Sequence, residues 1–341
     1  MKLIIKPLRL EISASFATAH GQVSHRDAVW VGLEQEGNTG WGEATCVQYY
    51  GITPERLFRA LERVRTPLLT LEITHPEIVY EQLQPVLADE PFALCALDMA
   101  AYDLYGKLHG HPTWKYLDLS VESVPLSSLT IGLIPVDQAV EFLESNPWPV
   151  YKIKLGGLQD RQLVEAVRNR TSATIRVDAN AGWTPVEAVE MSAFLKAMDV
   201  EFIEQPLPAT DLAGIRIIQG KMALPIMADE SCHLPDDVVK CSPYYDAINI
   251  KLMKCGGITP ARTMISEARQ LGLKIMIGCM TETSVGISAA AQLLPLVDYA
   301  DIDGPFLLKE DPAEGVRLVH GVVTYPDTPG NGCTPSSHQV I

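Results

Sequence analysis

The chain has 341 residues, of which 47% are hydrophobic and 20% are charged, and its formal net charge is −15. This composition is typical of a soluble globular protein, and the acidic balance argues against nucleic acid or an anionic membrane as a partner. The start, MKLIIKPLRLEIS, alternates charged and apolar residues, which indicates a strand and not a signal peptide, and no 18-residue apolar run could span a membrane. Seven scattered cysteines without a CxxC pair predict free thiols in a reducing cytoplasm and argue against a zinc site.

The first 50 residues are predicted to form antiparallel β-structure. Apolar and polar side chains alternate through Lys2–Ile12 and again through Ala28–Gln35. The segment Gly37–Gly40 predicts a turn into a further strand that starts at Trp41.

The next 60 residues have a helical period. Thr53-Pro54-Glu55 is a capped helix start, and Pro91–Lys107 is a strongly apolar helix ended by His109-Gly110. We therefore expect an α+β capping domain over residues 1–118, with a small sheet followed by a helix bundle.

From Ser123 onward, short apolar runs alternate with helical segments at a steady interval. Strands are predicted near residues 126–131, 150–154, 174–178, 200–204, 225–229, 246–251, 273–278 and 298–303. Alternation of this kind implies a parallel sheet, and eight units imply a closed (β/α) barrel of the TIM type over residues 119–308. The alternative, an open doubly wound sheet, predicts a glycine-rich phosphate loop after the first strand, and Thr130–Leu133 is not one. Residues 309–341, with a strand-like piece at Gly321–Tyr325, are expected to return to the capping domain.

Acidic residues stand at the ends of three successive predicted strands. Asp178 ends the third strand, Glu204 the fourth and Asp229 the fifth, each about one βα unit after the last. Strand ends meet at the mouth of a barrel, where three unpaired carboxylates would repel one another unless a cation lies among them. All-oxygen ligands with positions left for water and substrate favour Mg²⁺ over zinc. The alternative for each acid is that it caps the following helix.

Lysines occupy strand ends on both sides of these acids. Lys152 and Lys154 are two residues apart on the second strand and so share a face. Lys251 ends the sixth strand. Strands two and six stand opposite each other in an eight-stranded ring, so Lys154 and Lys251 are expected to face each other across the cavity. This arrangement suits 1,1-proton transfer at the α-carbon of a carboxylate, in which one lysine removes a proton, the other returns one, and Mg²⁺ stabilises the enediolate between them. The basic lysine needs a lowered pKa, which neighbouring Lys152 and the metal favour.

The motifs KIK, VDAN, EQP, ADES and NIKLMKCGG together resemble the enolase superfamily, and within it the muconate-lactonizing-enzyme subgroup. The resemblance covers nearly the whole chain. It implies that Asp178, Glu204 and Asp229 bind Mg²⁺. It also implies that Lys154 and Lys251 are the acid/base pair, with Lys152 against the substrate carboxylate.

Several activities share those residues, including cycloisomerases, o-succinylbenzoate synthases, N-acylamino acid racemases and dipeptide epimerases. Asp301 and Asp303, at the end of the eighth strand, are expected to share a face and to hold the α-ammonium of a free dipeptide. An Asp-x-Asp pair is a mark of dipeptide epimerases, which this sequence resembles. The alternatives are an N-acylamino acid racemase, an o-succinylbenzoate synthase or a cycloisomerase. More remote readings are a non-catalytic metal-dependent binding protein and, for the two aspartates, a salt bridge or a turn.

The same resemblance implies further contacts with a dipeptide. Cys279, Met280 and Thr281, after the seventh strand, and Ser128, near the first, are expected to line it. Loops near residues 18–26 and 46–52 are expected to meet the side chain of the epimerised residue. The first loop has Gln22-Val23 where members acting on Ala-Glu carry an arginine, with Arg26 a few residues late, so Ala-Glu is not predicted as the substrate. Tyr49 and Tyr50 favour a larger apolar side chain or pack within the cap, and the oligomeric state stays open.

Overall fold

The structure, a computed structural model, describes residues 1–13, 17–18, 21–22 and 24–336, the two short pairs as backbone alone. Of the predicted cap loop near residues 18–26, positions 19, 20 and 23 lie outside the described residues. Among the helices of the described ranges, none combines the length and the apolar composition that a membrane span requires.

The chain begins with a three-stranded antiparallel sheet in the order β1-β4-β5. Its strands are β1 (Lys2–Glu11), β4 (His25–Gln35) and β5 (Asn38–Thr45), and the short pair β2 (Ala17–Thr18) and β3 (Gly21–Gln22) lies between the first two in sequence. The turn predicted over Gly37–Gly40 is wrong in position. Gln35 pairs with Asn38, and the turn is Glu36-Gly37, with φ of 51° and 75°. Two residues with positive φ match the right-handed twist of a hairpin, so pairing resumes directly at Asn38.

Helices α1 (Pro54–Leu69), α2 (Pro76–Leu83), α3 (Pro91–His109) and α4 (Thr113–Tyr116) follow the sheet. The hydroxyl of Thr53 accepts a hydrogen bond from the backbone N–H of Arg56 and caps α1, as predicted. Helix α3 ends at Gly110, whose φ of 70° requires glycine. It packs directly on β5, because a Cβ at Gly42 would collide with the backbone of Ala96. The close fit fixes the apolar helix against the sheet.

The remaining core is a parallel sheet with helices between its strands. Its strands are β6 (Leu129–Ile131), β7 (Val150–Lys154), β8 (Thr174–Asp178), β9 (Val200–Glu204), β10 (Ile226–Ala228), β11 (Ala247–Lys251), β12 (Lys274–Gly278) and β13 (Tyr299–Asp301). Its helices are α5 (Val136–Ser145), α6 (Asp160–Arg168), α7 (Pro185–Ala197), α8 (Leu212–Ile218), α9 (Pro235–Cys241), α10 (Leu252–Cys255), α11 (Ile258–Gln270) and α12 (Ser284–Ala291).

The sheet closes into a barrel. Its strands are paired in sequence order from β6 to β13, and a parallel bridge between Ser127 and Ala300 joins the first strand to the last. The predicted barrel is thereby confirmed. The bounds of β7, β8 and β9 agree with the prediction to the residue, because each strand is an apolar run between clear turn residues.

The C-terminal segment packs against the first domain. Strands β14 (Ala313–Glu314) and β17 (Thr334–Pro335) pair with each other, as do β15 (Arg317–Val319) and β16 (Val322–Thr324). The backbone N–H of Asn331 donates to the buried carboxylate of Asp103 on α3 at 2.7 Å, and the side chain of Thr113 donates to that of Asn331 at 2.8 Å. Domain limits at 118/119 and 308/309 stay predictions.

Two buried carboxylates of the first domain contact the N-termini of barrel helices. Asp98 of α3 accepts hydrogen bonds from the backbone N–H (3.0 Å) and hydroxyl (2.7 Å) of Thr259 in α11. Glu43 of β5 accepts the backbone N–H groups of Thr283 (3.1 Å) and Gly286 (3.2 Å) at the start of α12. A carboxylate near a helix N-terminus satisfies N–H groups that have no partner within the helix. These bonds dock the sheet and α3 on the barrel.

The Asp98→Asn variant is expected to change how stability depends on pH. Burial disfavours the charged carboxylate and raises the pKa of Asp98 to about 7. In an unfolded chain the pKa of an aspartate is about 4. Between these values the folded protein keeps a proton that the unfolded chain releases, so the free energy of unfolding falls as the pH rises. One such group contributes a slope of at most about 1.4 kcal/mol per pH unit.

This contribution is absent from Asp98→Asn, so urea unfolding between pH 5 and pH 8 is expected to show a shallower fall in the variant than in the wild type. Asp236→Asn, at an exposed position of α9, is the matched control and is expected to follow the wild type. Parallel curves for Asp98→Asn and the wild type would contradict the assignment.

Candidate active site

Three buried carboxylates meet at the C-terminal ends of neighbouring barrel strands. Asp178 ends β8, Glu204 ends β9 and Asp229 follows β10, and one oxygen of each lies within 4.8 Å of the others. Burial, together with a smaller repulsion from the Asp178 carboxylate, raises the pKa of Glu204 to about 7. The cluster thus holds more negative charge than its buried setting tolerates without cations.

The donor set fits Mg²⁺. All three groups offer carboxylate oxygens, the ligands that a hard cation prefers, and the described residues place no histidine or cysteine in this cluster. The side-chain oxygens Oδ1 of Asn180 and Asn249 are buried without a hydrogen-bond partner among the described residues. Asp178, Glu204 and Asp229 would hold the ion.

The three predicted lysines surround the carboxylates. Nζ of Lys154 lies 2.6 Å from Oδ2 of Asp178, and Nζ of Lys251 lies 2.6 Å from Oδ2 of Asp229. Lys152 pairs with Asp301 and lies 3.2 Å from Glu204. Each lysine therefore has an anionic partner at the barrel mouth, as their position in an apolar strand requires.

The pKa of Lys251 is raised and not lowered in this arrangement. Burial alone would lower it, but the Asp229 carboxylate and Tyr50 outweigh burial and hold the pKa well above its ordinary value. A cation bound to Asp229 would compete with Lys251 for that carboxylate. The lowered lysine pKa expected from the sequence is therefore not found for Lys251 here, and it stays a prediction for the metal-loaded site.

One cavity of about 180 Å³ brings most of the predicted residues together. Of the site residues predicted from sequence, it is lined by Lys152, Lys154, Asp229, Lys251, Cys279, Met280, Thr281, Asp301 and Asp303. Ser128, Asp178 and Glu204 are not among the described residues of its wall. The Ser128 hydroxyl donates to Oδ1 of Asp301 at 2.5 Å and so would reach a ligand through that carboxylate.

The two aspartates of the eighth strand differ in their surroundings. Strand β13 ends at Asp301, so Asp303 follows the strand and does not alternate within it, and both nevertheless line the cavity. Lys152 outweighs the effect of burial and lowers the pKa of Asp301. Asp303 accepts the backbone N–H of Thr130 at 2.7 Å, and burial together with Asp301 raises its pKa to about 6.

Residues of the first domain form the other wall of the cavity. Val47, Tyr49 and Tyr50 line it from the predicted loop near 46–52. Arg26 also lines it, as the second residue of β4, and its guanidinium donates to the backbone carbonyl of Cys46 at 3.1 Å.

Sequence reasoning missed several polar residues around the carboxylates. Asn249 donates to Oε1 of Glu204 at 2.8 Å, Lys254 donates to Oδ1 of Asp229 at 2.6 Å, and buried Glu230 lines the cavity. Burial, together with a smaller repulsion from the Asp229 carboxylate, raises the pKa of Glu230 to about 8. Asn249 carried a readable signal, because it alternates with Lys251 on an otherwise apolar strand.

Comparison with known proteins assigns the family. Residues 3–117 match the mandelate racemase / muconate lactonizing enzyme N-terminal domain, and residues 135–339 match the enolase C-terminal domain-like family. The chain is 44% identical to the L-Ala-D/L-amino acid epimerase of Maribacter sp., over 98% of this chain and 99% of that protein.

Solved structures agree with this assignment. A dipeptide epimerase from Enterococcus faecalis, complexed with Mg and L-Leu-L-Tyr, is similar with a TM-score of 0.91 at 29% identity, over 98% of this chain and 99% of that one. The L-Ala-D/L-Glu epimerase from Bacillus subtilis is similar with a TM-score of 0.93 at 28% identity, over 99% and 100%. The resemblance inferred from the motifs is confirmed: the chain belongs to the mandelate racemase / muconate lactonizing enzyme family of the enolase superfamily.

Proposed function

We propose that the protein is a Mg²⁺-dependent dipeptide epimerase that inverts the α-carbon of the C-terminal residue. The observation that carries the proposal is the shared cavity, which Lys154 and Lys251 line beside Asp229, with Asp301 and Asp303 in the same wall. Relatives that cover nearly the whole chain are epimerases of L-Ala-D/L-amino acids, and an Mg complex of one similar structure contains a dipeptide.

The two lysines exchange protons with the α-carbon. They lie on β7 and β11, which are separated in the closed sheet by β8, β9 and β10 on one side. One lysine removes the α-proton as a neutral amine, and the other, as an ammonium, returns a proton to the opposite face, which inverts the centre. Mg²⁺ held by Asp178, Glu204 and Asp229 would supply a Lewis acid for the negative charge that develops on the substrate carboxylate.

Charged groups of the cavity wall would bind the two charged ends of a dipeptide. Lys152 is buried among acidic groups and is positioned to attract the substrate carboxylate. Asp301 and Asp303 offer two carboxylates to the free α-ammonium of the N-terminal residue. An N-acylated amino acid lacks that ammonium and would place no positive charge beside Asp303, which disfavours the racemase alternative.

The side chain of the epimerised residue would contact the first domain. Val47, Tyr49 and Tyr50 contribute an apolar and aromatic surface there, beside Gln48 and Arg26. We therefore propose apolar side chains as the preferred class at this position. Each of the seven cysteines is a free thiol, which supports a reducing compartment, the cytoplasm.

Deuterium exchange from D₂O into a library of L-Ala-L-Xaa dipeptides tests the proposal. Removal of the α-proton and its replacement from solvent are expected to add one deuterium per dipeptide, with the fastest exchange for apolar Xaa. Mass spectrometry gives the position, which is expected to be the C-terminal α-carbon. Exchange into N-succinyl amino acids, with none into dipeptides, would identify an N-acylamino acid racemase instead.

The Asp303→Asn variant tests the proposed contact with the substrate ammonium, with KM for dipeptides as the measured quantity. Loss of the charge opposite the substrate ammonium is expected to raise KM for dipeptides about 10- to 100-fold. Asp137→Asn, at an exposed position of α5, is expected to leave KM unchanged. An o-succinylbenzoate synthase or a cycloisomerase would retain its activity in Asp303→Asn, because its substrate has no ammonium.

A further inference from the structure

A fourth lysine contacts the carboxylate cluster from the interior of the protein. Lys254 lies on the one-turn helix α10, directly after β11, and is 3% exposed. Its Nζ donates to Oδ1 of Asp229 at 2.6 Å and to the backbone carbonyl of the same residue at 2.6 Å. It also reaches the backbone carbonyls of Cys232 (2.9 Å) and Asn249 (3.3 Å). The ammonium is thus surrounded by four oxygen atoms, three of which are backbone carbonyl oxygens.

Lys254 and Lys251 divide the two oxygens of one carboxylate between them. Lys251 pairs with Oδ2 of Asp229 and lines the cavity, whereas Lys254 pairs with Oδ1 and is not among the described residues of the cavity wall. A group without access to the cavity cannot exchange a proton with a substrate. The role of Lys254 must therefore be exerted through Asp229.

Strand β11, which leads into α10, also contacts the carboxylate of Glu204. The side-chain N–H of Asn249 donates to Oε1 of Glu204 at 2.8 Å, and its backbone carbonyl accepts from Lys254. Helix α10 ends at Gly256, whose φ of 102° requires glycine and ends the helix one turn after β11. Because the helix is so short, Lys254 contacts Asp229 from the side away from the cavity, whereas Lys251 lines the cavity.

We infer that Lys254 is a positioning residue, which fixes Asp229 from the interior and supplies its permanent counter-charge. Asp229 therefore keeps one ammonium partner when Lys251 gives up a proton. The inference rests on the proposed function only in taking Asp229 as a ligand of Mg²⁺. A ligand held in one orientation binds a cation without first losing rotational freedom, and loss of such outer contacts weakens metal binding about 10- to 100-fold.

Calorimetric titration of the cation-free protein with MgCl₂ tests this inference without any assay of activity. Lys254→Met keeps the length of the side chain and removes every hydrogen bond and the charge, and it is expected to raise the Kd for Mg²⁺ about 10- to 100-fold. Lys254→Gln keeps an N–H donor near these oxygens and is expected to lie between the wild type and Lys254→Met. If Lys254→Met fails to fold, the Kd of Lys254→Gln decides, and a raised value supports the inference.

Lys240→Met is the matched control, because Lys240 pairs with Asp237 on the exposed surface of α9 at 2.9 Å. It is expected to leave the Kd unchanged. An unchanged Kd in both Lys254 variants would show a merely structural role, and a lower Kd would show that repulsion between the ammonium and the cation dominates. Either result overturns the inference. Asp229→Asn separates this failure from failure of the proposed metal site, since only the latter predicts normal Mg²⁺ binding in Asp229→Asn.

Discussion

Lys154→Ala and Lys251→Ala are each expected to lower kcat for epimerisation about 10²- to 10⁴-fold, the usual contribution of a positioned acid or base. In the proposed mechanism, each variant loses one of the two proton carriers that inversion requires. Each retains a lysine on the other wall of the cavity, and this lysine faces the α-proton of a single epimer. We therefore expect each variant to exchange deuterium into one epimer and to lose exchange into the other, with opposite preferences in the two variants.

Proton NMR of the L,L- and L,D-dipeptides in D₂O measures this preference directly. Lys274→Ala is a suitable control, since Lys274 begins β12 at an exposed position and pairs with Asp298. It is expected to exchange both epimers at the wild-type rate. Loss of exchange into both epimers in either variant would contradict a two-lysine mechanism and would favour a single base.

Removal of divalent cations is expected to lower activity by about 10³-fold or more, a factor that corresponds to several kcal/mol of charge stabilisation. The structure gives a second reason for a large effect. Without a cation, Lys251 pairs with Asp229 at 2.6 Å, and this carboxylate outweighs burial and holds the pKa of Lys251 above its ordinary value, which disfavours its action as a base. Loss of the cation thus removes the electrophile and inactivates the base.

Dialysis against EDTA, followed by titration with MgCl₂, checks this expectation. Activity is expected to return along a saturable curve, and Glu204→Gln is expected to shift that curve to higher Mg²⁺ concentration because a charged ligand is lost. Asp236→Asn, at its exposed site, is expected to follow the wild type. Full activity in protein that elemental analysis shows to be free of divalent cations would contradict the metal assignment.

The barrel and the positions of its charged groups were predictable because both follow from local pattern. Each strand is a short apolar run, and residues such as Asp178 and Glu204 stand where the run ends. Closure of the sheet then brings them together without further information. The hairpin turn was misplaced because Glu36 is not a typical residue for positive φ, and its neighbour Gly37 was assigned to the wrong turn position.

Contacts between distant elements could not be predicted in this way. Lys254 follows Lys251 by three residues, yet only the one-turn helix between them decides that one lysine enters the cavity while the other lies beneath Asp229. The pairing of Asp98 with Thr259 likewise depends on how α3 docks on the barrel, which no single segment specifies. Sequence patterns therefore do not predict the contact partners of residues whose positions depend on how distant elements pack together.

The contact between Asp103 and Asn331 has a consequence for synthesis of the chain. The two residues are 228 positions apart, and Asp103 also accepts the backbone N–H of Trp41 and pairs with Lys107. During translation, α3 emerges long before Asn331, so this carboxylate lacks one of its donors until Asn331 has been synthesised. This hydrogen bond therefore forms only after the barrel sequence has been synthesised, and contacts of such long range favour slow folding.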